Sequence, residues 1–428
     1  MNLGEKIRYF RKVKNLSQQE LAAGICSIPY LSKIENGVTE PSAEIQHHLA
    51  TRLDINLDSV NESQIIRHYV DLFHSLYQKD YKSAEQKFQA LTESPSQSVD
   101  EDILNKIFKS IYLMMTSQGT KEAHTLLNEV AHIDNVIKGE KAFYYLLAKA
   151  QLNYFSNNFE DALHYFFRTE NQLEENRFQE WEIGYLLYMI GLSANQLYKN
   201  IIAFEYTQKA LTIFEKNYFF ERCAYCRIIL AIIHLRIRNF EESTKQLLLA
   251  ETIADTFNDD VLRGIIYHNL GRVAAHKGES ENAVELLTRS LKAKEKEPLS
   301  AKIMTILALV REYEKINQRK TGLELIETWI EQVQTDPLCR DFELHLIYYK
   351  QLFAYDEHNK KVIQFMIKEL IPNLVLKNEW FYLSTYYPII GKYFEDNQKY
   401  KQASMYYSLT LEAMKKLHEM GVTYESKL

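Results

Sequence analysis

Hydrophobic and small residues recur at helical spacing through residues 264–293, with polar residues between them. The apolar positions are Leu270, Val284, Leu287 and Leu291. Spacings of three and four residues place such side chains on one stripe of a helix. Gly271 and Ala283 are small enough to let two helices approach closely, and Gly278 suits a turn between them. The stretch therefore predicts a pair of packed helices joined by a turn.

The same pattern recurs along most of the chain. Positions comparable to Ala283 are Ala84, Ala123, Ala162, Ala203, Ser243, Gly322, Ile363 and Ala403, each 39 to 41 residues from the next. The units around Gly322 and Ile363 fit the pattern least well. The pattern resembles the tetratricopeptide (TPR) repeat, whose usual period is 34 residues, so longer helices or turns are expected. The resemblance implies a right-handed superhelix of about nine helix pairs.

Composition favours an all-α protein without a membrane segment. The 428 residues include 7 Pro and 13 Gly, and 46% are hydrophobic. No charge-free apolar run reaches 18 residues and the N-terminus is polar, so neither a membrane span nor a secretory signal is expected. Four cysteines favour a reducing, cytoplasmic location. Cys223 and Cys226 lack further ligand residues nearby and are predicted to be buried thiols, so no metal or cofactor is expected.

Residues 1–62, here called the head, fall outside the repeat and are interpreted as five short helices. The first helix is expected to direct Lys6, Arg8, Arg11, Lys12 and Lys14 outward. The sequence SQQE at residues 17–20 predicts a capping box, in which Ser17 and Glu20 satisfy each other's backbone amides at the start of the second helix. Pro29 is tolerated in the first turn of the third helix. Asn36 and Gly37 are expected to end that helix.

Two motifs in this segment, LSQQELA at residues 16–22 and LSKIENG at residues 31–37, resemble the helix-turn-helix of the Cro and phage-repressor (XRE) type. The intervening segment is one residue shorter than usual, which is similar to PlcR-type regulators. The resemblance implies that the third helix enters the major groove of DNA. The side chains expected to contact DNA are Ile28, Pro29, Ser32 and Lys33 at base edges, Gln18 and Asn36 at phosphates, and the helix-capping Ser27.

The charge of the head favours an oligomer on a double-stranded DNA operator. Residues 1–60 contain seven Lys or Arg and seven Asp or Glu, and the whole chain carries a net charge of −6. Since phosphate neutralisation supplies much of the affinity for DNA, two copies on a two-fold operator are expected to bind better than one. A helix continues from Ser63 without a flexible linker. We therefore expect a DNA-binding domain at 1–62, coupled to a repeat domain at 63–428 that binds a ligand and mediates dimerisation or higher assembly.

In a TPR array the first helix of each pair lines a concave groove. Polar residues on these helices combine amides, which bond both groups of a peptide backbone, with arginines that hold carboxylates and tyrosines that add apolar area. A short peptide is the expected ligand. The predicted peptide-binding residues are Gln151, Tyr188, Asn195, Gln196, Tyr225, Arg236, His268, Asn269, Arg272, Arg311 and Tyr348, with Tyr185, His276 and Tyr355 on the same helices.

A Cro-type head joined directly to TPR repeats resembles the RNPP group of peptide-pheromone receptors, and the length and repeat number are most similar to its NprR type. Asn269, which follows Tyr267 and His268 in the most regular repeat, matches the peptide-clamping asparagine of that group. The resemblance therefore favours Asn269 as a ligand contact. The resemblance implies a quorum-sensing transcription regulator of a Gram-positive bacterium. Its DNA binding and oligomeric state would respond to a re-imported oligopeptide in the groove.

Two other classes of function are weighed against this one. NprR-type proteins are also similar to the Rap proteins, so the chain could be an adaptor that binds and inhibits a response regulator of the sporulation phosphorelay, as its main role or as a second role of the peptide-free form. An enzyme is disfavoured, because the chain contains no GxxxxGK[ST], HExxH or GxSxG motif.

Overall fold

The computed structural model describes residues 3–55, 62–92, 98–116, 119–131, 137–173, 178–355 and 359–419, and within these ranges the chain is helical and contains no strand. The head contains α1 (Leu3–Val13), α2 (Gln18–Ala22), α3 (Ile28–Glu35) and α4 (Ala43–Leu53). A fifth head helix is not found in the described residues. The all-α prediction is confirmed.

The described residues after the head form nine helix pairs, as many as the repeat predicts. The pairs are α5 (Glu62–Tyr77) with α6 (Tyr81–Thr92), α7 (Val99–Met115) with α8 (Thr120–Ala131), α9 (Glu140–Phe155) with α10 (Phe159–Glu170), α11 (Glu180–Gln196) with α12 (Asn200–Lys216), α13 (Phe220–Arg236) with α14 (Phe240–Phe257), α15 (Asp260–Lys277) with α16 (Ser280–Ala293), α17 (Leu299–Lys315) with α18 (Arg319–Thr335), α19 (Glu343–Ala354) with α20 (Lys360–Phe365) and α21 (Ile371–Leu376), and α22 (Trp380–Asp396) with α23 (Tyr400–Glu419). None of these helices is long and apolar enough to cross a membrane.

The chain divides into two compact units, residues 1–182 and residues 183–428. The first unit contains the head and the three pairs from α5 to α10. The second unit contains most of α11, its partner α12, and the pairs from α13 to α23. The division at residue 62, into a DNA-binding domain and a repeat domain, stays a prediction.

The register of the repeat is confirmed residue by residue. Ala283 and the eight positions comparable to it are here called the anchors. Each of the nine anchors is the fourth residue of the second helix of its pair, including the less regular Gly322 and Ile363. All nine are buried. A Cβ on Gly271 would lie 2.7 Å from Cγ of Leu287, and one on Gly322 would lie 2.5 Å from the Phe353 ring. Small residues therefore set how closely neighbouring helices pack.

The turn inside each pair also repeats. A residue with positive φ stands five positions before the anchor in seven of the described turns, at Lys79, Asn157, Tyr198, Arg238, Gly278, Asn317 and Gln398. The left-handed conformation ends one helix and starts the next. Only one of these seven residues is glycine, so the tertiary packing holds side-chain-bearing residues in a conformation that L-residues rarely adopt.

The eighth pair departs from the pattern. Its second helix is interrupted by a π-helical turn at Met366–Leu370, and α21 begins with Ile371 and Pro372. Proline has no backbone N–H to donate, and a π turn inserts an extra residue into the helical ladder. This interruption explains why the unit around Ile363 matches the sequence pattern poorly.

The head packs against the first repeats through polar contacts between α1 and α7. The Tyr9 hydroxyl donates to Asp102 Oδ2 over 2.7 Å, and Lys106 Nζ lies 3.0 Å from the same oxygen. Asp100 joins Lys6 of α1, at 3.4 Å, to Lys141 of α9, at 2.6 Å. The expectation that Lys6 points to solvent is wrong, because its ammonium has this carboxylate partner.

Gly278 offers a direct test of the turn. We expect Gly278→Ala to lower the free energy of unfolding by about 1 kcal/mol, because alanine resists φ of +83° although its Cβ would meet no atom within 4 Å. Gly278→Asn should cost less, since Asn157 and Asn317 occupy the equivalent position. Urea unfolding measures both. Gly119→Ala is the control, having equal space and no positive φ, and an equal loss in that variant would contradict the explanation.

Asp100 should make the head contact sensitive to acid. Burial would raise the pKa of Asp100, but Lys141 and Lys6 outweigh it, so the pKa lies below its usual value. Its contribution to stability is therefore present above the unfolded-state pKa, about 3.9, and is lost as pH falls through the lowered folded-state pKa. We expect Asp100→Asn to cost about 1–3 kcal/mol at pH 7 and progressively less in acid, measured by urea unfolding from pH 7 to pH 2.

A matched control is Glu324→Gln, which removes an exposed carboxylate 4.0 Å from exposed Lys320. Such a pair contributes little in water. If Asp100→Asn cost no more than this control at pH 7, the α1–α7 contact would not depend on the carboxylate.

Candidate functional site

The first turn of α3 lies on the exposed surface of the head. Ser27 caps the helix by accepting from the Tyr30 amide over 3.4 Å, and Leu31 and Ile34 are buried behind it. Among the residues predicted to contact DNA, those exposed to solvent are Ser27, Ile28, Pro29, Lys33 and Asn36, while Gln18 and Ser32 are half-buried. Ile28, 44% exposed, is an apolar side chain kept in water. The face can offer one cation, hydroxyls and apolar contact to a partner.

A buried ionic network holds this face from behind. Glu35, 3% exposed, accepts from Arg11 Nε over 2.6 Å and from Arg11 Nη2 over 2.9 Å, and Gln18 Nε2 donates to it over 2.8 Å. The network ties α1, α2 and α3 together. The expectation that Arg11 faces solvent is wrong, and the Gln18 amide, predicted to meet phosphate, already has a protein partner. In the sequence, the acidic Glu35 at the end of an apolar helix face could have indicated this buried ionic contact.

Close backbone packing and helix caps complete the head. A Cβ on Gly4 would overlap the Ile34 carbonyl, so α1 and α3 cross where no side chain fits. The predicted capping box is present, with Glu20 N donating to Ser17 Oγ over 3.1 Å and Ser17 N donating to Glu20 Oε2 over 2.6 Å. Arg52 donates to carbonyl oxygens at the end of α2, including that of Leu21 over 3.2 Å. These contacts fix the start and end of α2 and the crossing of α1 with α3.

The predicted peptide-binding residues lie on the first helices of their pairs, except Tyr355, which directly follows α19, and they differ in exposure. Gln196, Tyr355 and His276 are exposed, Tyr188, Tyr225, Arg236, His268, Arg272 and Arg311 are half-buried, and Gln151, Tyr185, Asn195, Asn269 and Tyr348 are buried. Gln151 belongs to the first unit and is fully buried, which does not suit a direct ligand contact. The other predicted residues belong to the second unit. There the half-buried Arg236, Arg272 and Arg311 make the surface of the first helices positively charged.

Arg236 is held at the end of α13 by an aromatic ring and an amide. Its guanidinium carbon lies 4.3 Å from the centre of the Tyr198 ring, a cation–π geometry, and Nη1 donates to Asn200 Oδ1 over 3.2 Å. Burial lowers the pKa of Arg236 to about 10, and the neighbouring Arg272 also lowers it. Arg236 and Arg272, from successive first helices, therefore share one electrostatic environment.

Arg272 stands beside Asn269 on α15. Asn269 Nδ2 donates to the Ile265 carbonyl over 2.9 Å within the same helix, and its Oδ1 accepts from Arg272 Nη1 over 3.4 Å. The Asn269 amide is thus engaged inside its own helix and orients the arginine next to it. The role of Asn269 as a ligand contact stays a prediction.

Arg311 on α17 faces a group of tyrosines from α19 and α22 that the sequence prediction did not include. Tyr349, Tyr382 and Tyr386 lie near Arg311, and Tyr349 above all raises the pKa of Arg311 although burial opposes it. His345 Nδ1 lies 3.0 Å from the Tyr386 hydroxyl. Tyr349, Tyr382 and Tyr386 also lie on first helices. Tyr348 is predicted because polar residues on first helices line the groove, and the same argument applies to these three tyrosines.

A buried polar network lies behind the same face. Thr305 Oγ1 lies 3.1 Å from His268 Nδ1 and accepts from Lys294 Nζ over 3.2 Å, while Ser290 Oγ donates to the Gly264 carbonyl over 2.6 Å. Burial lowers the pKa of Lys294 to about 8. A Cβ on Gly264 would lie 2.6 Å from Lys294 Cγ, so the glycine makes room for the lysine stem.

The cysteines of α13 are buried, as predicted. Burial raises the pKa of Cys223 to about 11 and also raises that of Cys226 well above its usual value, so both stay as neutral thiols at neutral pH. Across the described ranges of the chain, His, Cys, Asp and Glu form no group of three that could hold a metal ion.

Comparison with known proteins supports both parts of the chain. A family described as Helix-turn-helix matches residues 7–59. Transcriptional activator NprA of Geobacillus stearothermophilus is 27% identical over 407 residues, which are 93% of this chain and 99% of NprA. The similarity thus runs through the head and the repeats, and it connects the chain to a regulator and not to an enzyme.

Solved structures share the fold. A Rap protein complexed with Competence and Sporulation Factor aligns with a TM-score of 0.71 at 16% identity, over 84% of this chain and 99% of the Rap chain. The apo form of the quorum sensor NprR from B. thuringiensis gives a TM-score of 0.70 at 20% identity, over 82% and 99%. NprR in complex with its cognate peptide NprX gives 0.66 at 20% identity, over 84% and 100%. At these identities the solved structures establish the fold alone.

The predicted resemblance is confirmed by three findings that agree. The head carries a helix-turn-helix, 93% of the chain is similar to a transcriptional activator, and the helical-repeat fold is that of NprR and Rap structures. This chain resembles the RNPP-group regulators of the NprR type.

Proposed function

We propose that this chain is a transcription regulator that binds operator DNA through α3 and is controlled by a short peptide bound to the first helices of its repeats. The observation that carries the DNA part is the exposed first turn of α3, with Lys33 outward and the buried Arg11–Glu35 pair behind it. A helix fixed in this way can enter the major groove without rearranging.

The peptide part rests on chemistry and on relatives. NprR has been solved with a cognate peptide, NprX, and its fold is shared by this chain. The first helices of residues 183–428 present amides, tyrosines and three arginines, groups that bond peptide backbone and carboxylate. Repeat domains use such helices as extended binding surfaces. We propose residues 63–428 as the peptide-binding and oligomerising domain.

Control of DNA binding requires that peptide favours one assembly of protomers over another. The head carries no net charge, so a single copy would gain little affinity from phosphate contacts. Paired heads at operator spacing would double the contacts. A peptide that binds one assembly more tightly shifts the equilibrium towards it, whereas equal affinity for both would shift nothing. We propose a cytoplasmic homodimer or higher homo-oligomer as the DNA-binding form.

Lys33 tests the DNA-binding face. We expect Lys33→Ala to weaken binding to DNA from upstream of the neighbouring genes by about 1–3 kcal/mol, roughly 5- to 150-fold, because one exposed cation at the duplex is removed. Electrophoretic mobility with the full chain measures this loss. Lys82→Ala removes the same charge from exposed α6 and should change little.

Two results would contradict the proposal. Equal losses in the Lys33 and Lys82 variants would indicate only non-specific electrostatics. Absence of any DNA complex, combined with capture of a response regulator, would favour the adaptor function.

Asn269 tests the peptide-binding face. We expect Asn269→Ala to weaken binding of a synthetic peptide from an adjacent small open reading frame by about 1–3 kcal/mol, since ligand backbone groups and Arg272 would both lose a partner. Isothermal titration measures the affinity. Asn282→Ala, on exposed α16, is the control. An unchanged affinity in Asn269→Ala would remove this residue from the site.

A further inference from the structure

Two arginines of the second unit occupy the same position in consecutive repeats. Arg272 stands eleven residues before the anchor Ala283, and Arg311 stands eleven residues before the anchor Gly322. Their helices, α15 and α17, contact each other directly. Equal register on neighbouring helices places both side chains on one face, and helices in contact have axes about 8–10 Å apart. The two guanidinium groups therefore form a pair of cations on adjacent helices.

Neither guanidinium has a carboxylate partner among the residues that the structure describes. Arg272 donates to the Asn269 amide oxygen over 3.4 Å, at the long end of hydrogen bonding, and Arg311 lies near the Tyr349 hydroxyl. The other groups that act on their pKa values are the phenols of Tyr198, Tyr349, Tyr382 and Tyr386, and Arg311 also lowers the pKa of Arg272. Arginine carries five N–H donors in a planar fork, so most of this donor capacity has no charged acceptor from the protein.

The positive potential is felt by neighbouring imidazoles. Burial lowers the pKa of His345 to about 4, and Arg311 and Lys377 lower it as well. Burial also lowers the pKa of His268, again assisted by Arg272 and by Lys294. Both histidines thus stay neutral at neutral pH. The neutral histidines add no positive charge to the site. The arginines remain cationic in a partly enclosed environment.

Partly buried like charges without counter-ions are costly, because desolvation and mutual repulsion both oppose the folded state. A bound carboxylate would remove that cost, since it matches the guanidinium fork with two parallel hydrogen bonds. Rigid first helices would keep the two forks in place before the ligand arrives. The arrangement suits a ligand with negative charge far better than a neutral one.

We propose that Arg272 and Arg311 form a carboxylate-binding site, and that the peptide ligand of this chain binds there through its C-terminal carboxylate or an acidic side chain. This inference rests on the proposed function and narrows it to peptides with a carboxylate at the α15–α17 face. Tyr349, Tyr382 and Tyr386 border the site and can pack against the apolar part of the ligand next to the charged group.

Three pools of synthetic heptapeptides, applied to the full chain, test the ligand class. The first pool has free C-termini and no Asp or Glu, the second has amidated C-termini and includes Asp and Glu, and the third has amidated C-termini and no acidic residue. Peptides that co-elute with the protein are identified by mass spectrometry. We expect retention from the first or second pool, which tells the two carboxylate sources apart, and none from the third.

The outcomes separate this inference from the proposed function. Sequence-selective retention from the third pool, equal to that from the others, would overturn the carboxylate site and leave a peptide receptor. Retention from no pool would overturn both.

Variants of the two arginines test the site itself with a peptide retained from those pools. We expect Arg272→Gln and Arg311→Gln each to weaken its affinity about 10- to 100-fold, as the loss of charge-assisted bonds predicts. Arg272→Lys should restore part of the loss, since it keeps the charge without the fork. Arg289→Gln is the control, because Arg289 stacks 4.0 Å from the Tyr267 ring and is exposed on α16. Unchanged affinity in both arginine variants, or an equal loss in the control, would overturn the site.

The melting temperature without peptide distinguishes binding from structure. Arginines that only support the fold would lower it when replaced, whereas cations awaiting a ligand should leave it unchanged or raise it. A clear drop in the melting temperature of both Gln variants would assign the arginines to the fold and not to the ligand.

Discussion

The close crossing of the two helices in each pair is the contact on which the repeat array depends. A small or buried residue stands at the fourth position of every second helix in the described pairs, and Gly271, Gly191 and Gly391 provide matching space on first helices. Added methyl groups there would overlap Leu287, Thr207 and Tyr407. Because interiors are close-packed, this contact sets the spacing and register of each pair and leaves little tolerance for larger side chains.

A fixed register has a chemical consequence. Residues at equal distance from successive anchors emerge on the same face of successive first helices, so one residue type repeated at that distance becomes a row of like groups. Arg272 and Arg311 form such a row eleven residues before their anchors, and Arg236, His276 and Lys315 form another seven residues before theirs. The packing contact that builds the array thus also concentrates basic groups on one surface, where an anionic ligand gains most.

The head uses a different strategy, in which buried charge fixes an exposed surface. Arg11 and Gln18 converge on Glu35 beneath α3, and Tyr9, Lys6 and their carboxylate partners join α1 to α7 and α9. Breaking a buried ionic contact strands a charge, so such contacts hold elements in one arrangement. The exposed turn of α3 is presented by a rigid support, and the support extends into the first repeats within the same compact unit.

The sequence by itself determined the features that depend on neighbouring residues: the capping box at Ser17, the 40-residue period, the anchors and the first helices that carry the polar face. These follow from local spacing and from residue size. Only the tertiary structure decided which side chains meet across the fold. It joined Lys6 to Asp100 and Arg11 to Glu35, buried Gln151, and brought Tyr349 and Tyr382 to Arg311. Such partners lie far apart in sequence. Their contacts follow from how the helices pack, which the local spacing of residues does not determine.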